Sequence, residues 1–409
     1  MDESVIVGID IGTTKICTLV GRVEENGYLR ILGVGIEPSH GIRKGAVVDL
    51  AGASQAIRHA VDKAERTSGL EIKSALVSLA GAQISALNSK GVVGISGRAI
   101  AEDDVARAMD AARAVAIPHN QEIIHIIQRN FTVDGQDGIR TPIGMHGYRL
   151  EVETHIITAS TSTVENLRQC VADSGIEITQ FVLAPLASAE MALTDAEREM
   201  GVIACDIGSG TTDIAIYIEG DVWHTAVLPI GGGHITSDIA HGLRLPTDMA
   251  ESIKLKHAHA VLEDVPVEEY FTVQTFGEGT PLQVSRQDLA HITSARVEEI
   301  FGLVQQEIKR SGYDGLLPAG MVLTGGTALL PGIRHLATDV LGMPVRIAQP
   351  EDLIGMSDQL LSPAFATGVG LLKWAMLMNE IAFQPGHRRI FSGGVNWEKI
   401  KDVLRRLLP

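Results

Sequence analysis

The chain is short of cysteine and of positive charge, and it has no uninterrupted apolar run long enough to cross a bilayer. Its three cysteines among 409 residues, Cys17, Cys170 and Cys205, form no CxxC pair and leave one over. That excludes a disulfide framework and points to a reducing compartment. Lys and Arg number 34 against 50 Asp and Glu, a formal net charge of −16. Nucleic acid is therefore not an expected partner, because neutralising phosphates needs clustered cations, and any basic patch must be local. Residues 315–333 carry no charge and have about the length of a membrane span. Seven of them are Gly or Pro, however, and the segment reads as a buried strand with turns. The start MDESVIVGID is acidic where a secretory signal is basic and then apolar, so a cytosolic protein is expected. Common site motifs are missing too. There is no GxxxxGK[ST] and no HExxH, and GSGTTD at 208–213 lacks the final glycine and the strand-to-helix setting of a dinucleotide fingerprint. His257 and His259 are two apart and point away from one another on a helix.

What is present is ample apolar material, 45% of the residues, enough for more than one core. β-type runs at 5–11, 16–22 and 29–36 lead to a helical pattern at 51–68 and a strand at 74–79. An interlude follows to about residue 160, with a helix at 102–115. Helix (164–174), strand (179–183) and helix (185–193) come next, the last with proline in its first turn. Then the opening theme returns: 202–217 repeats the strand, glycine turn and strand of 5–20, and Asp206 stands 196 residues after Asp10. Helical periodicity at 237–243, 248–260 and 286–309 marks a second insertion, and an apolar helix at 362–383 is expected to close the second domain.

Three glycine-centred segments carry the chemistry. In the first, a buried strand delivers Asp10, Gly12 allows a tight turn, and Thr13, Thr14 and Lys15 follow with hydroxyls, amides and an ammonium that can hold phosphates. The second, Asp206 through Gly208, Ser209, Gly210, Thr211 and Thr212 to Asp213, has the same plan without the lysine. Facing carboxylates suit Mg²⁺, a hard ion that needs one or two acidic ligands plus phosphate and water; Asp10 and Asp206 are the metal candidates. In the third, Gly325, Gly326 and Thr327 follow a strand, and side-chain-free backbone there can approach a flat ring and its sugar. One Asp-x-Gly turn is usually just a hairpin; matched turns after matched strands are a different matter.

Together these segments resemble the phosphate-1, phosphate-2 and adenosine motifs of the actin-like ATPase superfamily. The resemblance implies an α/β fold of the actin and Hsp70 type, with two duplicated RNase H-like domains around a cleft for ATP and Mg²⁺. It also implies a phosphate-side turn at Gly232 and Gly233, and ribose and adenine contacts from Glu251 and Lys254, which share a helix face. For water activation Asp206 is the candidate base, with Glu190 as the other choice.

The last segment is amphipathic. Asn396 can cap a helix in which Trp397, Ile400, Leu404, Leu407 and Leu408 follow helical spacing, while Arg405 and Arg406 take the other face. From Gly386 onward six Lys or Arg oppose two acids, a local +4 suited to anionic lipid. Partial burial of such a face is worth about 4 to 7 kcal/mol before ordering costs. One helix is thus a weak anchor, and polymerisation would let many act together.

With this tail and the 84–159 insertion, the chain resembles the FtsA family of bacterial cell-division proteins. The resemblance implies subdomain 1A (1–83 and 160–195), inserted subdomain 1C (84–159), 2A (196–235 and 315–385), 2B (236–314), a linker (386–395) and a membrane-targeting helix (396–409). It further implies filaments on the cytoplasmic face of the membrane at the division site, slow or regulatory hydrolysis, and recruitment of later division proteins. An FtsZ C-terminal peptide would bind 2B, with Arg286 and Arg296 as candidate contacts. The linker, about ten residues or roughly 35 Å when extended, is short. A PilM-like pilus assembly protein and a kinase of the same superfamily are the competing readings.

Overall fold

The structure is a computed structural model and describes residues 5–24, 27–273 and 282–383. The linker and the tail positions Trp397, Ile400, Leu404, Arg405, Arg406, Leu407 and Leu408 lie outside the described residues.

Strand Val5–Ile11 stands at the centre of a six-stranded sheet. Lys15–Val23 and then Leu29–Pro38 pair antiparallel on one side through tight connections. On the other side Ser74–Leu79 and Glu177–Leu183 run parallel, which requires crossovers, and the helices Leu50–Ser68 and Thr161–Ala172 supply them. Leu50–Ser68 is helical for local reasons. The Asp49 carboxylate caps its start by accepting from the Ala51 amide at 3.1 Å, Gly69 ends it at φ +69°, and Ala53, Ile57, Ala60 and Ala64 form its buried stripe.

The second half repeats the layout. Val202–Ile207 is flanked antiparallel by Thr212–Ile218 and Asp221–Leu228, and parallel by Met321–Thr324 and Val345–Ile347. Five strands thus share one order and one set of directions in both sheets, as the internal repeat predicts. The uncharged 315–333 stretch does contain a buried strand and a turn.

Three elements cross between the halves. Strand Leu353–Gly355 comes late in the chain yet pairs parallel with Leu29–Pro38 of the first sheet. The helix expected to close the second domain runs Ala366–Phe383, and it packs on the first sheet instead. There Gly8 and Gly21 leave the strand surface flat: a Cβ at Gly8 would stand 2.9 Å from Leu371 Cβ. Helix Ala184–Ala192 makes the reciprocal exchange onto Val202–Ile207 and Thr212–Ile218. The two helices cross at Gly370 against Ala187, where no side chain separates them, so one core cluster contains Leu19, Leu186, Val202, Leu371 and Trp374 from both halves.

Residues Ile84–Gly94, Gln121–Val133, Gln136–Ile139 and Arg149–Ser160 form a separate antiparallel sheet, with helix Glu102–Arg113 on one face and a core around Phe131, Leu150 and Ile156. This insert leans on the second half. The Arg129 guanidinium lies 3.7 Å above the Trp223 ring, and His155 Nε2 is 3.0 Å from Thr225 Oγ1. The second insertion holds helices Gly232–Leu243, Thr247–His257 and Arg286–Ser311 with a small hairpin. Its first helix begins five residues before the expected 237, because a glycine run shows no apolar period. Among the described residues no helix is long and apolar enough to cross a membrane.

Candidate functional site

Each sheet delivers one carboxylate and one tight loop to the junction between the halves. The first loop closes where the Gly12 amide donates to the Lys15 carbonyl at 3.0 Å, and the second where Gly208 donates to Thr211 at 2.9 Å. Asp10 Oδ1 accepts from Ser78 Oγ at 2.9 Å, and that hydroxyl accepts from the Ile11 amide at 2.9 Å. Asp206 Oδ2 accepts from Thr367 Oγ1 at 3.0 Å, so helix Ala366–Phe383 positions it. Burial pushes Asp10 above the ordinary carboxylate range against the pull of Lys15 and Ser78. Burial also raises Asp206, to about 6, and the Asp10 charge adds to it. The two acids feel one another.

A third acid belongs to this group. Asp213 lies opposite Asp206 in the antiparallel register and is 6% exposed. Burial and the neighbouring Asp206 raise it well above the usual range, and its Oδ1 has no hydrogen-bond partner among the described residues. It was not among the candidates read from the sequence. Counting outward from the loop, which pairs 207 with 212 and so 206 with 213, would have found it.

The remaining loops close around the same point. A Cβ at Gly210 would lie 2.5 Å from Thr13 Oγ1 and 3.1 Å from Lys44 Cα, so the two phosphate-type loops touch across the junction. Gly325 has φ +88°, and a Cβ there would meet the Asp206 carboxylate and lie 2.5 Å from the Ile207 carbonyl. Next to it, open Gly326 precedes Thr327, whose hydroxyl donates to the Gly208 carbonyl at 3.0 Å. The Gly232 and Gly233 amides donate to the Gly208 and Ser209 carbonyls at 2.9 and 2.8 Å, and so brace the second loop from behind. Thr212 also turns inward, donating to Ile230 at 2.8 Å. Lys254 reaches Glu251 at 2.8 Å, Thr236 Oγ1 at 2.9 Å and the Gly232 carbonyl at 3.2 Å, which ties that ion pair to the junction. Lys15 crosses between the halves to the Ala364 carbonyl and stands 4.5 Å above the Phe365 ring. Thr14 is exposed at the loop tip.

Three other candidates are placed differently. Glu190 is ion-paired with Arg198 at 2.7 Å and lines a separate cavity of about 500 Å³ with Tyr28, Asp352 and Lys373. Arg286 is held by Glu269 and the His257 carbonyl. Arg296 grips Asp238 through two nitrogens and also reaches Glu299. Both arginines would have to exchange an internal partner to take an external acid.

The donor set fits a magnesium nucleotide. Among the described residues no three of His, Cys, Asp and Glu converge as a closed ligand set; Asp10 and Asp206 would leave most of a coordination shell to phosphate and water, as Mg²⁺ prefers. Asp213 Oδ1 is a buried acceptor that a metal-bound water can satisfy.

A family model described as cell division protein FtsA matches residues 203–370, and one described as an SHS2 domain inserted in FTSA matches residues 81–158. The chain is 44% identical to the cell division protein FtsA of Pseudomonas aeruginosa over 371 residues, which are 91% of this chain and 89% of that protein. It is 36% identical to that of Escherichia coli K12 over 413 residues, 99% and 98% of the two chains. Among solved structures it is similar to the PilM-PilN type IV pilus biogenesis complex (TM-score 0.64, 16% identity, 90% and 97% coverage). It is also similar to MreB5 of Spiroplasma citri bound to ADP (TM-score 0.56, 15% identity, 93% and 99% coverage). These two place the fold among actin-like proteins.

Proposed function

The chain belongs to the FtsA family of cell-division proteins, and from that premise we propose that it binds ATP with Mg²⁺ between its halves, polymerises, and tethers the FtsZ ring to the cytoplasmic face of the membrane. One observation carries the nucleotide part: the first and third glycine segments both touch the second, Thr13 at Gly210, Gly325 at Asp206 and Thr327 at Gly208. Gly12, Thr13 and Lys15 would hold phosphates from one side and Ser209, Gly210 and Thr211 from the other. Gly325 to Thr327 would lie under the base and sugar, with Glu251 and Lys254 beside them. Asp10 and Asp206 would hold Mg²⁺, which neutralises phosphate charge when bound.

For hydrolysis, Asp206 is the candidate base. Burial holds its proton affinity above that of an ordinary carboxylate. Asp213, directly opposite, can share that proton. Turnover would be slow, as suits an adaptor whose bound nucleotide sets filament assembly. The weak tail helix gains strength from being repeated along a filament; the FtsZ C-terminal peptide would bind the 236–314 region, and later division proteins the 84–159 insert.

The test is co-sedimentation with anionic liposomes in ATP and Mg²⁺, comparing the intact chain with one truncated after Gly386. Only the intact chain should pellet with lipid, and it should then carry an FtsZ tail peptide down with it. If both forms stay soluble at all protein concentrations, the tether fails and a PilM-like binder takes its place. Phosphotransfer from ATP to small acids or sugars would favour a kinase.

A further inference from the structure

Residues Ile42–Arg43 and Ala46–Val47 pair as a small antiparallel hairpin. Its two turn residues, Lys44 and Gly45, have φ +51° and +76°, the mirror-image turn that suits the twist of a two-residue hairpin. Glycine and asparagine are the usual occupants, so a lysine at the first position is a departure that local folding does not favour. The turn is also wedged in place. A Cβ on Gly45 would lie 2.7 Å from the Ala80 carbonyl, just beyond the strand that supplies Ser78 to Asp10. On the other side, a Cβ on Gly210 would lie 3.1 and 3.2 Å from Lys44 Cα and N and 2.5 Å from Thr13 Oγ1. The hairpin turn and both phosphate-type loops therefore share one contact point.

The cations around that point are not equivalent. Lys15 is engaged by the Ala364 carbonyl and the Phe365 ring. Lys254 is engaged by Glu251, Thr236 and the Gly232 carbonyl. Lys44 is exposed and has no hydrogen bond or ion pair to any described residue. Its charge still reaches the site, adding to the burial that lowers the His234 pKa at the start of helix Gly232–Leu243.

We propose that Lys44 is a specificity residue that grips the outermost phosphate of a bound nucleoside triphosphate and so separates triphosphate from diphosphate. The assignment rests on the nucleotide reading of the cleft. A charge-assisted contact to phosphate, made only when the outermost group is present, is worth about tenfold or more in affinity. The strained turn holds the lysine at the gap between the loops before nucleotide arrives.

The experiment is calorimetric titration of the full chain with Mg²⁺ and either ATP or ADP, for wild type, Lys44→Gly and Lys44→Arg. Glycine accepts the positive φ without strain, so Lys44→Gly removes the charge while keeping the turn. We expect Lys44→Gly to lose about tenfold in ATP affinity with ADP affinity nearly unchanged, and Lys44→Arg to retain most of the preference. Equal ATP affinity in wild type and Lys44→Gly, or an equal loss for ATP and ADP, overturns the assignment and leaves the cleft reading standing. If wild type binds neither nucleotide, the cleft reading and the assignment fall together.

Discussion

The crossing of helices Ala184–Ala192 and Ala366–Phe383 makes an unusual claim about a single methyl group. Gly370 is inside a helix, where alanine is ordinarily better than glycine by about 1 kcal/mol. A Cβ there, however, would stand 1.8 Å from the Ala187 carbonyl oxygen and 3.2 Å from the Ser188 amide nitrogen. Cβ atoms essentially never come within 3.0 Å of another heavy atom, so the backbones must part. Overpacking of this kind costs about 1 to 3 kcal/mol, and backbone against backbone belongs at the upper end. Subtracting the helix gain leaves Gly370→Ala about 2 kcal/mol less stable, a fall of roughly 4 to 8 °C in melting temperature for units of this size. Gly302→Ala is the matched control, because Gly302 lies within helix Arg286–Ser311 with nothing within 4 Å of an added Cβ. It should melt higher than wild type. Thermal unfolding followed by circular dichroism decides the matter by sign. If Gly370→Ala melts at or above wild type, propensity alone rules there and the close crossing is refuted. The same variant should weaken the Thr367 to Asp206 hydrogen bond, since Thr367 is one turn from the crossing.

Two further outcomes follow from the buried charges. Asp206, raised from 3.8 to about 6, contributes stability that is complete below its unfolded pKa and is lost as pH rises through the folded one. That is worth about 3 kcal/mol across pH 4 to 7, so in metal-free buffer Asp206→Asn should unfold at higher urea than wild type at pH 7 and nearly the same at pH 4; parallel pH profiles would defeat this. Arg129→Ala removes a buried cation stacked on Trp223, which should cost about 2 kcal/mol and shift tryptophan emission to the red. Lysine should not restore it, lacking the planar stack; unchanged emission and unchanged stability would mean that the insert does not lean on the second half.

Much of this was legible in the sequence, and the reason is locality. Each phosphate-type loop is set by two strands and a glycine within eight residues, and the duplication announces itself by constant spacing. The exchanged helices were not legible, because which sheet an apolar helix covers depends on surfaces more than a hundred residues away, here the flat patch at Gly8 and Gly21. Glu190 looked free because its partner Arg198 is eight positions on, across a helix break. Arg286 and Arg296 looked available because Glu269 and Asp238 come from other elements. Lys44 carried no Asn-Gly or Asp-Gly signal to mark its turn.

The duplication also explains why the two loops need not act alike. A uniform offset of 196 residues maps Asp10 onto Asp206 and Gly12 onto Gly208, but Lys15 onto Thr211 and Cys17 onto Asp213. Cys17 and Asp213 occupy the same register position, each directly opposite its strand's aspartate. In the first half that position is a buried thiol, its pKa pushed up to about 12 by burial, and it adds no charge. In the second half it is a second carboxyl. Lys15 therefore has no counterpart in the second loop, and Asp213 has none in the first. Neither loop alone has both, and the helix crossing that Gly370 keeps close joins the two halves that carry them.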